Sequence, residues 1–137
     1  MRGVAAVEFG LMLPLLILLI FGIAEYGRMI YQYNALVKSV RDGARLLSIY
    51  SSSDTTNYPT HQTEARCIVV YGNKTCAGSK LVTGLNTTNV IIAQPTSGTI
   101  KMVKVTVSGF NLGYITKYFA NSITFGDISN TMRQTQS

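Results

Sequence analysis

The sequence predicts an α+β protein in which one long N-terminal helix packs on a small antiparallel β-sheet. Three features lead to this expectation: an uncharged apolar run near the N-terminus, a helical stripe of apolar residues after it, and alternating apolar residues in the second half of the chain. The chain has 137 residues, which is enough for one domain. We therefore expect the helix to contribute to a single small core.

The apolar run is long enough to suggest a membrane segment. Residues 9–24 carry no charge, and as a helix they would reach about 24 Å, short of the roughly 30 Å hydrocarbon core of a bilayer. Including residues 4–7 makes up the difference but places Glu8 within the hydrocarbon layer. A secretory signal peptide is the competing interpretation, yet the residues from Glu25 onward contain no cleavage site of small residues. We predict a retained transmembrane helix over residues 4–25.

The helical pattern continues beyond the membrane segment. Within residues 26–50, apolar side chains recur at steps of three and four, which predicts an amphipathic half of the same helix, packed on its own domain. Pro14 lies inside the helix and would kink or locally open it, because its ring clashes with the carbonyl four residues back. The apolar stripe consists of Met29, Tyr33, Leu36, Val40, Ala44 and Leu47.

Residues 51–137 are predicted to form a small α+β domain. The polar stretch "SIYSSSDTTNYPT" ends the long helix as a loop. Residues 61–71 fit either a short helix that ends at Gly72 or a strand, and we favour the helix. Residues 89–93 and the segment "TIKMVKVTVSGF" are predicted to be two strands joined by the turn "QPTSG". The apolar residues on one face of the second strand are Val103, Val105 and Val107.

A final strand is predicted at "SITFGDIS", residues 122–129. In this strand Ile123 and Phe125 would face inward, and Gly126 would mark a β-bulge. The resulting sheet is antiparallel, because short turns connect its strands.

The two cysteines, Cys67 and Cys76, are predicted to form a disulfide bond. Closing a loop of about 10 residues would stabilise the fold by roughly 2.7 kcal/mol in the chain-entropy model. Such a bond requires an oxidising compartment outside the cytoplasm. Two buried free thiols are the competing interpretation. A zinc site is less favoured, since only His61 could join the two cysteines and zinc binds four ligands.

Charge and composition favour neither a nucleic-acid partner nor an enzyme. The net charge is +6, but the basic residues of the second half are scattered singly. A catalytic Ser/His/Asp site would have to use the single histidine, His61, with Asp54, and nothing near His61 in sequence fixes its tautomer. No phosphate-binding glycine loop occurs, and we expect no cofactor. The patterns "NKT" and "NTT" match an N-glycosylation signal that arises easily by chance.

The segment "RGVAAVEFGLMLPLLILLIFGIAEYGRMIYQYNALVKSVRDGAR" carries a specific set of motif residues. It resembles the N-terminus of the TadE-like proteins, the minor pilins (pseudopilins) of the tight-adherence pilus in the type IV pilin superfamily. The resemblance implies a pilin-like fold. Shorter stretches, "ARCIVVYGN", "KVTVSGF" and "SITFGDISNTMR", are similar to the looser C-terminal pattern of that family. The matching residues are Arg2, Gly3, Glu8, Phe9, Leu13, Pro14, Phe21, Gly22, Glu25, Gly27, Arg28, Tyr33, Asn34, Ala35, Leu36, Arg41, Asp42, Gly43, Ala44 and Arg45.

The resemblance implies processing and a set of partners. A membrane aspartic prepilin peptidase would cleave after Gly3, so that residues 1–3 are a leader remnant and Val4 begins the mature chain. The expected partners are membrane lipid, the peptidase, the major pilin and other minor pilins. The expected location is the bacterial inner membrane, which the chain crosses once, with the C-terminal domain in the periplasm. Once assembled into a pilus, the protein would be exposed at the cell surface.

The basic residues around the apolar run predict the opposite orientation. Only Arg2 precedes the run, whereas four basic residues follow it, and the side richer in Lys and Arg is normally cytoplasmic. We still favour an exterior domain, because the cysteine pair and the Ser- and Thr-rich strands fit an oxidising compartment. The four residues are Arg28, Lys38, Arg41 and Arg45.

The acidic residue Glu8 lies inside the predicted transmembrane helix, where a charge is unfavourable. We expect the α-amine of Val4, freed by cleavage, to neutralise Glu8 of a neighbouring subunit, so Glu8 is predicted to be an assembly residue. Pro14 is predicted to be a second assembly residue. The competing interpretation is that Glu8 extends to the headgroup layer at a helix start. The alternative function, from another class, is a membrane-anchored periplasmic binding module that never enters a filament.

Overall fold

The computed structural model describes residues 2–112, 123–124 and 126–135, and it is an α+β structure. By its internal contacts the chain divides into two compact units, Met1–Tyr31 and Gln32–Ser137. The predicted fold class is therefore confirmed. In chain order the elements are α1 (Arg2–Ile49), α2 (Tyr58–Tyr71), a 3₁₀ turn (Thr87–Asn89), β1 (Val90–Ala93), β2 (Thr96–Ser97), β3 (Ile100–Val107), β4 (Asn111–Leu112), β5 (Ile123–Thr124) and β6 (Ile128–Arg133).

The first unit consists of the N-terminal part of α1. Every residue from Gly3 to Phe21 is exposed, including the large apolar side chains, and the helix continues through Pro14. Among the described residues, one helix, Gly3–Ile49, is long and apolar enough to cross a membrane. Such a surface requires an apolar surrounding, because exposed apolar area of this extent is unfavourable in water.

The C-terminal part of α1 contributes to the core of the second unit. The amphipathic stripe is confirmed at Leu36, Val40, Ala44 and Leu47, which belong to the buried core cluster. It is wrong at Tyr33, which is 39% exposed and is not a member of that cluster. The core is completed by α2 and the sheet, through Tyr58, Ala65, Val69, Val70, Val82, Leu85, Val90, Val103, Val105, Val107 and Phe110.

Gly43 allows α1 and α2 to lie in close contact. A Cβ atom at this position would be 2.8 Å from Cγ2 of Val69 and 3.3 Å from the carbonyl oxygen of Ala65. Both neighbours are fully buried, so neither can move aside into solvent. The absence of a side chain at Gly43 therefore sets the spacing of the two helices.

The ambiguous stretch at residues 61–71 is helical, as favoured. Pro59 lies in the first turn of α2, where the missing N–H of proline removes no helical hydrogen bond. The helix ends at Gly72, whose φ of +77° is in the left-handed region and whose N–H donates to the Ile68 carbonyl at 2.9 Å. Alternating apolar residues had allowed a strand, but the C-terminal glycine signal identifies the helix.

The main sheet is built around β3, which pairs antiparallel with β1, β2 and β6. The pairings Val90 with Val107 and Ser97 with Ile100 follow one register, so β1 and β2 are two parts of the same hairpin arm. The predicted hairpin is confirmed, but its turn is shorter than predicted. Only Gly98 and Thr99 form it, and Gly98 has a φ of +60°, as the first position of a two-residue hairpin turn requires.

The last strand lies further along the chain than predicted. Residues 122–129 do not form one strand, since Gly126 and Asp127 separate β5 from β6. Phe125 lies outside the described residues, and so does the side chain of Ile123. In β6, polar residues occupy most positions and Asn130 stands between the two inward apolar residues, so the strand lacks the apolar alternation that predicts a strand.

The segment after β6 closes the C-terminal end of α1. Nε2 of Gln134, a residue that is only 2% exposed, donates to the Tyr58 hydroxyl at 2.8 Å, to the Tyr50 carbonyl at 3.3 Å and to the Leu47 carbonyl at 3.4 Å. Thr135 N–H donates to the Ser48 carbonyl at 2.9 Å. These bonds supply donors to helix-end carbonyls that have none within the helix. Burial raises the pKa of Tyr58 above its usual value, against the hydrogen bonds from Gln94 and Gln134.

Gly43→Ala is predicted to destabilise the folded domain. The added methyl group forces Val69 or the α2 backbone to shift, at a cost of about 1–3 kcal/mol that exceeds the gain of about 1 kcal/mol in helix propensity. Unfolding of the full-length protein in detergent measures the difference. Gly27→Ala is the matched control, because a Cβ atom there meets nothing within 4 Å. Val69→Ala in the same chain should recover part of the loss by making room, and strictly additive effects would contradict the contact.

Gln134→Leu is predicted to lower the free energy of unfolding by about 2–3 kcal/mol. The substitution has similar volume but leaves the buried Leu47 carbonyl and the half-buried Tyr50 carbonyl without their donor. Thr131→Leu, at an exposed position in β6, is the control and should change stability by less than about 0.5 kcal/mol. Equal stability of the two variants, measured by chemical unfolding in detergent, would show that the Gln134 bonds do not hold the helix end.

Candidate assembly site on the N-terminal helix

The predicted processing and assembly residues all lie on the exposed N-terminal part of α1. Gly3, Val4, Glu8 and Pro14 are each exposed, and Val4 is 66% accessible. Val4 and Glu8 are four residues apart, so they lie one turn apart on the same face of the helix. The structure thus leaves the junction between Gly3 and Val4 and the Glu8 carboxylate accessible to another molecule.

Glu8 stands within an apolar surface. Its neighbours on the helix include Val7, Phe9, Leu11 and Met12, which are 61–76% exposed. No side chain that the structure describes forms an ion pair or a hydrogen bond with Glu8. In an apolar surrounding a carboxylate needs such a partner, since a charge in hydrocarbon costs several kcal/mol. A counterion from outside this helix would meet that need.

The acid at the other end of the apolar run has a different environment. Arg28 donates from Nη2 to Oε1 of Glu25 at 3.0 Å and from Nε to Oε2 at 3.2 Å. These two bonds form a bidentate pair between residues three positions apart on the helix. The sequence presents two acids flanking an apolar run, but the structure pairs Glu25 within its own helix.

Pro14 removes one hydrogen bond from the middle of the apolar helix. Because proline has no N–H, the carbonyl of Gly10 receives no bond from residue 14, although the helix continues through it. A Cβ atom at Gly10 would meet nothing within 4 Å. The assembly role of Pro14 stays a prediction, and the structure shows an unbroken helix at this residue.

The predicted disulfide between Cys67 and Cys76 is present, which excludes the free-thiol interpretation. The Cα atoms of the two residues are 4.7 Å apart, within the range that a disulfide spans. Cys67 is buried on α2, and Cys76 has a φ of +55°. The bond ties the loop after α2 to the helix.

Asn73, the asparagine of "NKT", organises the disulfide loop. Its side-chain oxygen accepts from the N–H groups of Thr75 and Ala77, each at 3.1 Å, and its amide donates to the Ala77 carbonyl at 2.7 Å. The side chain of Asn73 is therefore committed to the loop. These hydrogen bonds explain why an asparagine occupies this position without invoking N-glycosylation.

His61 is held more firmly than the sequence suggested. It lies in α2, its Nδ1 is 3.2 Å from Oε2 of Glu64, and its ring stacks on Tyr50 with centroids 3.5 Å apart. The expectation that nothing fixes its tautomer is wrong, because Glu64 follows one helical turn later. No hydroxyl or thiol among the described residues hydrogen-bonds to His61, however, and the described part of the chain contains no group of three side chains suited to a metal ion.

Asp54, the acid of the hypothetical catalytic site, has a structural role instead. Its carboxylate accepts from the Asn57 side chain at 2.8 Å and from the N–H groups of Asn57 and Thr56 at 3.1 Å. The hydrogen bond from the Asn57 side chain is the main reason that the pKa of Asp54 lies below its usual value. Asp54 therefore prepares the start of α2 and does not orient His61.

Comparison with known proteins bears on the helix alone. Residues 3–45 match the TadE-like protein family. This TadE-like segment, residues 3–45, contains all four predicted processing and assembly residues and also Gly43. The resemblance stated from the sequence is confirmed over this stretch. No curated protein and no solved structure matches the chain.

Two residues that organise the second unit were not predicted from the sequence. Gly43 entered the prediction only as part of a motif, although an isolated glycine inside a helical pattern often has a packing reason. Nothing in the sequence indicated that Gln134 is buried, because a glutamine in a polar C-terminal stretch is usually exposed. Both positions follow from contacts between elements that are distant in sequence.

Replacing both Cys67 and Cys76 by Ala is predicted to lower the free energy of unfolding by about 2–3 kcal/mol, because the unfolded chain regains the freedom of the closed loop. Unfolding of the full-length protein in detergent, with and without a reductant, measures the effect. Reductant should destabilise the native protein and leave the double variant unchanged. A native protein indifferent to reductant would contradict a stabilising bond.

Proposed function

We propose that this protein is a minor pilin or pseudopilin, a structural subunit that co-assembles through its N-terminal helix in Tad-type pilus biogenesis and adhesion. The TadE-like segment supports a role associated with the Tad pilus. The observation that carries the proposal is the exposed apolar surface of α1 with Glu8 inside it. That surface suits packing among lipids and neighbouring helices.

The proposed contact explains why an acid is retained in this surface. Cleavage after Gly3 would create a positive α-amine at Val4, and the amine of one subunit would neutralise Glu8 of the next. Breaking a buried ion pair by removing one partner costs about 3–5 kcal/mol, so a misplaced neighbour would be strongly disfavoured. Glu8 would accordingly specify the relative position of subunits more than it stabilises them.

The proposed location is the bacterial inner membrane, with the C-terminal unit in the periplasm. The helix Gly3–Ile49 is long and apolar enough to cross a membrane once. The Cys67–Cys76 disulfide in the second unit supports an oxidising compartment for that unit. The proposed partners are a prepilin peptidase, the major pilin and other minor pilins.

The mature N-terminus tests the proposed processing. Mass spectrometry of the protein from cells with an active prepilin peptidase should give a chain that begins at Val4, and cells without the peptidase should retain Met1. Gly3→Leu should block cleavage, whereas Gly10→Leu should leave it intact. A retained Met1 beside an active peptidase would favour the second candidate, a membrane-anchored periplasmic binding module.

Glu8→Leu tests the proposed assembly contact. The variant should insert into the membrane normally, while the amount recovered in sheared pili falls about tenfold or more, since a loss of 1.4 kcal/mol or more is a factor of ten. Glu8→Gln should fall similarly, because it removes the charge and keeps the shape. Glu25→Gln is the control: its partner Arg28 lies on the same helix, and incorporation should be unchanged. Normal incorporation of Glu8→Leu would overturn the contact.

A further inference from the structure

We propose that Tyr26 and Tyr31 form an interfacial anchor that lies in the lipid headgroup layer at the outer end of the apolar helix. The inference rests on the proposed membrane anchoring and adds a defined depth to it. Tyr26 is 67% exposed and Tyr31 is 75% exposed, although tyrosine rings are normally covered by protein when they have structural roles. Tyr26 lies two residues and Tyr31 seven residues beyond the uncharged run of residues 9–24.

The two tyrosines point to different sides of α1. Five residues correspond to about 500° of helical rotation, so the two side chains lie about 140° apart around the axis and about 7.5 Å apart along it. One neighbouring helix contacts a single stripe of α1 and could not cover both rings. Lipid on the exposed sides of the helix covers both rings, whereas Met29 between them is only 3% exposed, and the height difference fits within a headgroup layer.

The residues between the rings suit the same layer. Arg28 and Glu25 form a bidentate pair, so this turn carries no uncompensated charge between these two side chains. The aliphatic stem of Arg28 can lie along apolar surface while its guanidinium reaches water. A tyrosine ring with its hydroxyl has the same mixed character, which is why tyrosines are enriched at membrane boundaries.

Exposed apolar side chains continue to residue 24, close to the first tyrosine, although Gly22 and Glu25 are half-buried. Ile20, Phe21 and Ile23 are 57–65% exposed, and they lead directly to Tyr26. We therefore assign the occupant of this surface as lipid, with hydrocarbon around residues 9–24 and headgroups around the two tyrosines. A second protein helix at the tyrosines is the outcome that would contradict this assignment.

A boundary at Glu25 has a consequence for Glu8. A hydrocarbon thickness of about 30 Å corresponds to about 20 helical residues, so the opposite boundary falls near residue 5. Glu8 then lies about one turn inside the hydrocarbon. At this depth an unpaired carboxylate is strongly unfavourable, so Glu8 requires a counterion.

Single tryptophans can measure these depths, because the chain contains none. Full-length variants Tyr26→Trp, Tyr31→Trp, Leu16→Trp and Thr131→Trp are reconstituted separately into phosphatidylcholine vesicles. The lipids carry bromine either near the headgroup end or near the tail end of the acyl chains, and bromine quenches nearby tryptophan emission. Leu16 marks the middle of the run, and Thr131 is an exposed control in β6.

Headgroup-end bromine should quench Tyr26→Trp and Tyr31→Trp more strongly than tail-end bromine, and Leu16→Trp should show the reverse order. Thr131→Trp should lose no emission. If Leu16→Trp is quenched but both tyrosine variants behave like Thr131→Trp, the anchor is overturned while membrane anchoring stands. Equal depth of the tyrosine variants and Leu16→Trp overturns it as well. If Leu16→Trp is not quenched, the proposed membrane anchoring itself fails.

Discussion

A carboxylate in an apolar surrounding is stable only beside a counterion, and this constraint links the features of the N-terminal helix. Glu8 lies in a surface of exposed apolar side chains and has no partner among the side chains that the structure describes. Glu25 meets the same constraint through Arg28 on its own helix. Glu25 thus has a counterion on its own helix, whereas Glu8 has none among the described side chains, and this difference is the basis of the assembly contact proposed at Glu8.

One helix serves two environments. Residues 3–21 are all exposed, whereas Met29 is only 3% exposed and beyond Gln32 the same helix buries a stripe from Leu36 to Leu47. The second part is held by tertiary contacts: a close approach to α2 at Gly43, and hydrogen bonds from Gln134 and Thr135 at its end. These contacts stabilise the C-terminal part of the helix.

Local chemistry made most of the elements predictable. The uncharged run, the 3.6-residue stripe, the glycine after α2 and the alternating valines of β3 each depend on neighbours within a few positions. The cysteine pair also belongs here, since nine positions separate its members. The displaced β6 was less accessible, because Asn130 and the surrounding polar residues owe their strand conformation to pairing with β3.

By itself the sequence determined that an apolar helix carries an acidic residue, that a helix and a hairpin follow, and that two cysteines lie close enough to form a disulfide bond. Only the tertiary structure decided which acid is already paired, that Glu64 holds His61, that Gly43 is a helix contact and that Gln134 closes the end of α1. The physical reason is distance along the chain. Periodicity indicates which face of an element is apolar. The residues that contact a polar side chain or a glycine depend on which distant segments the fold brings together.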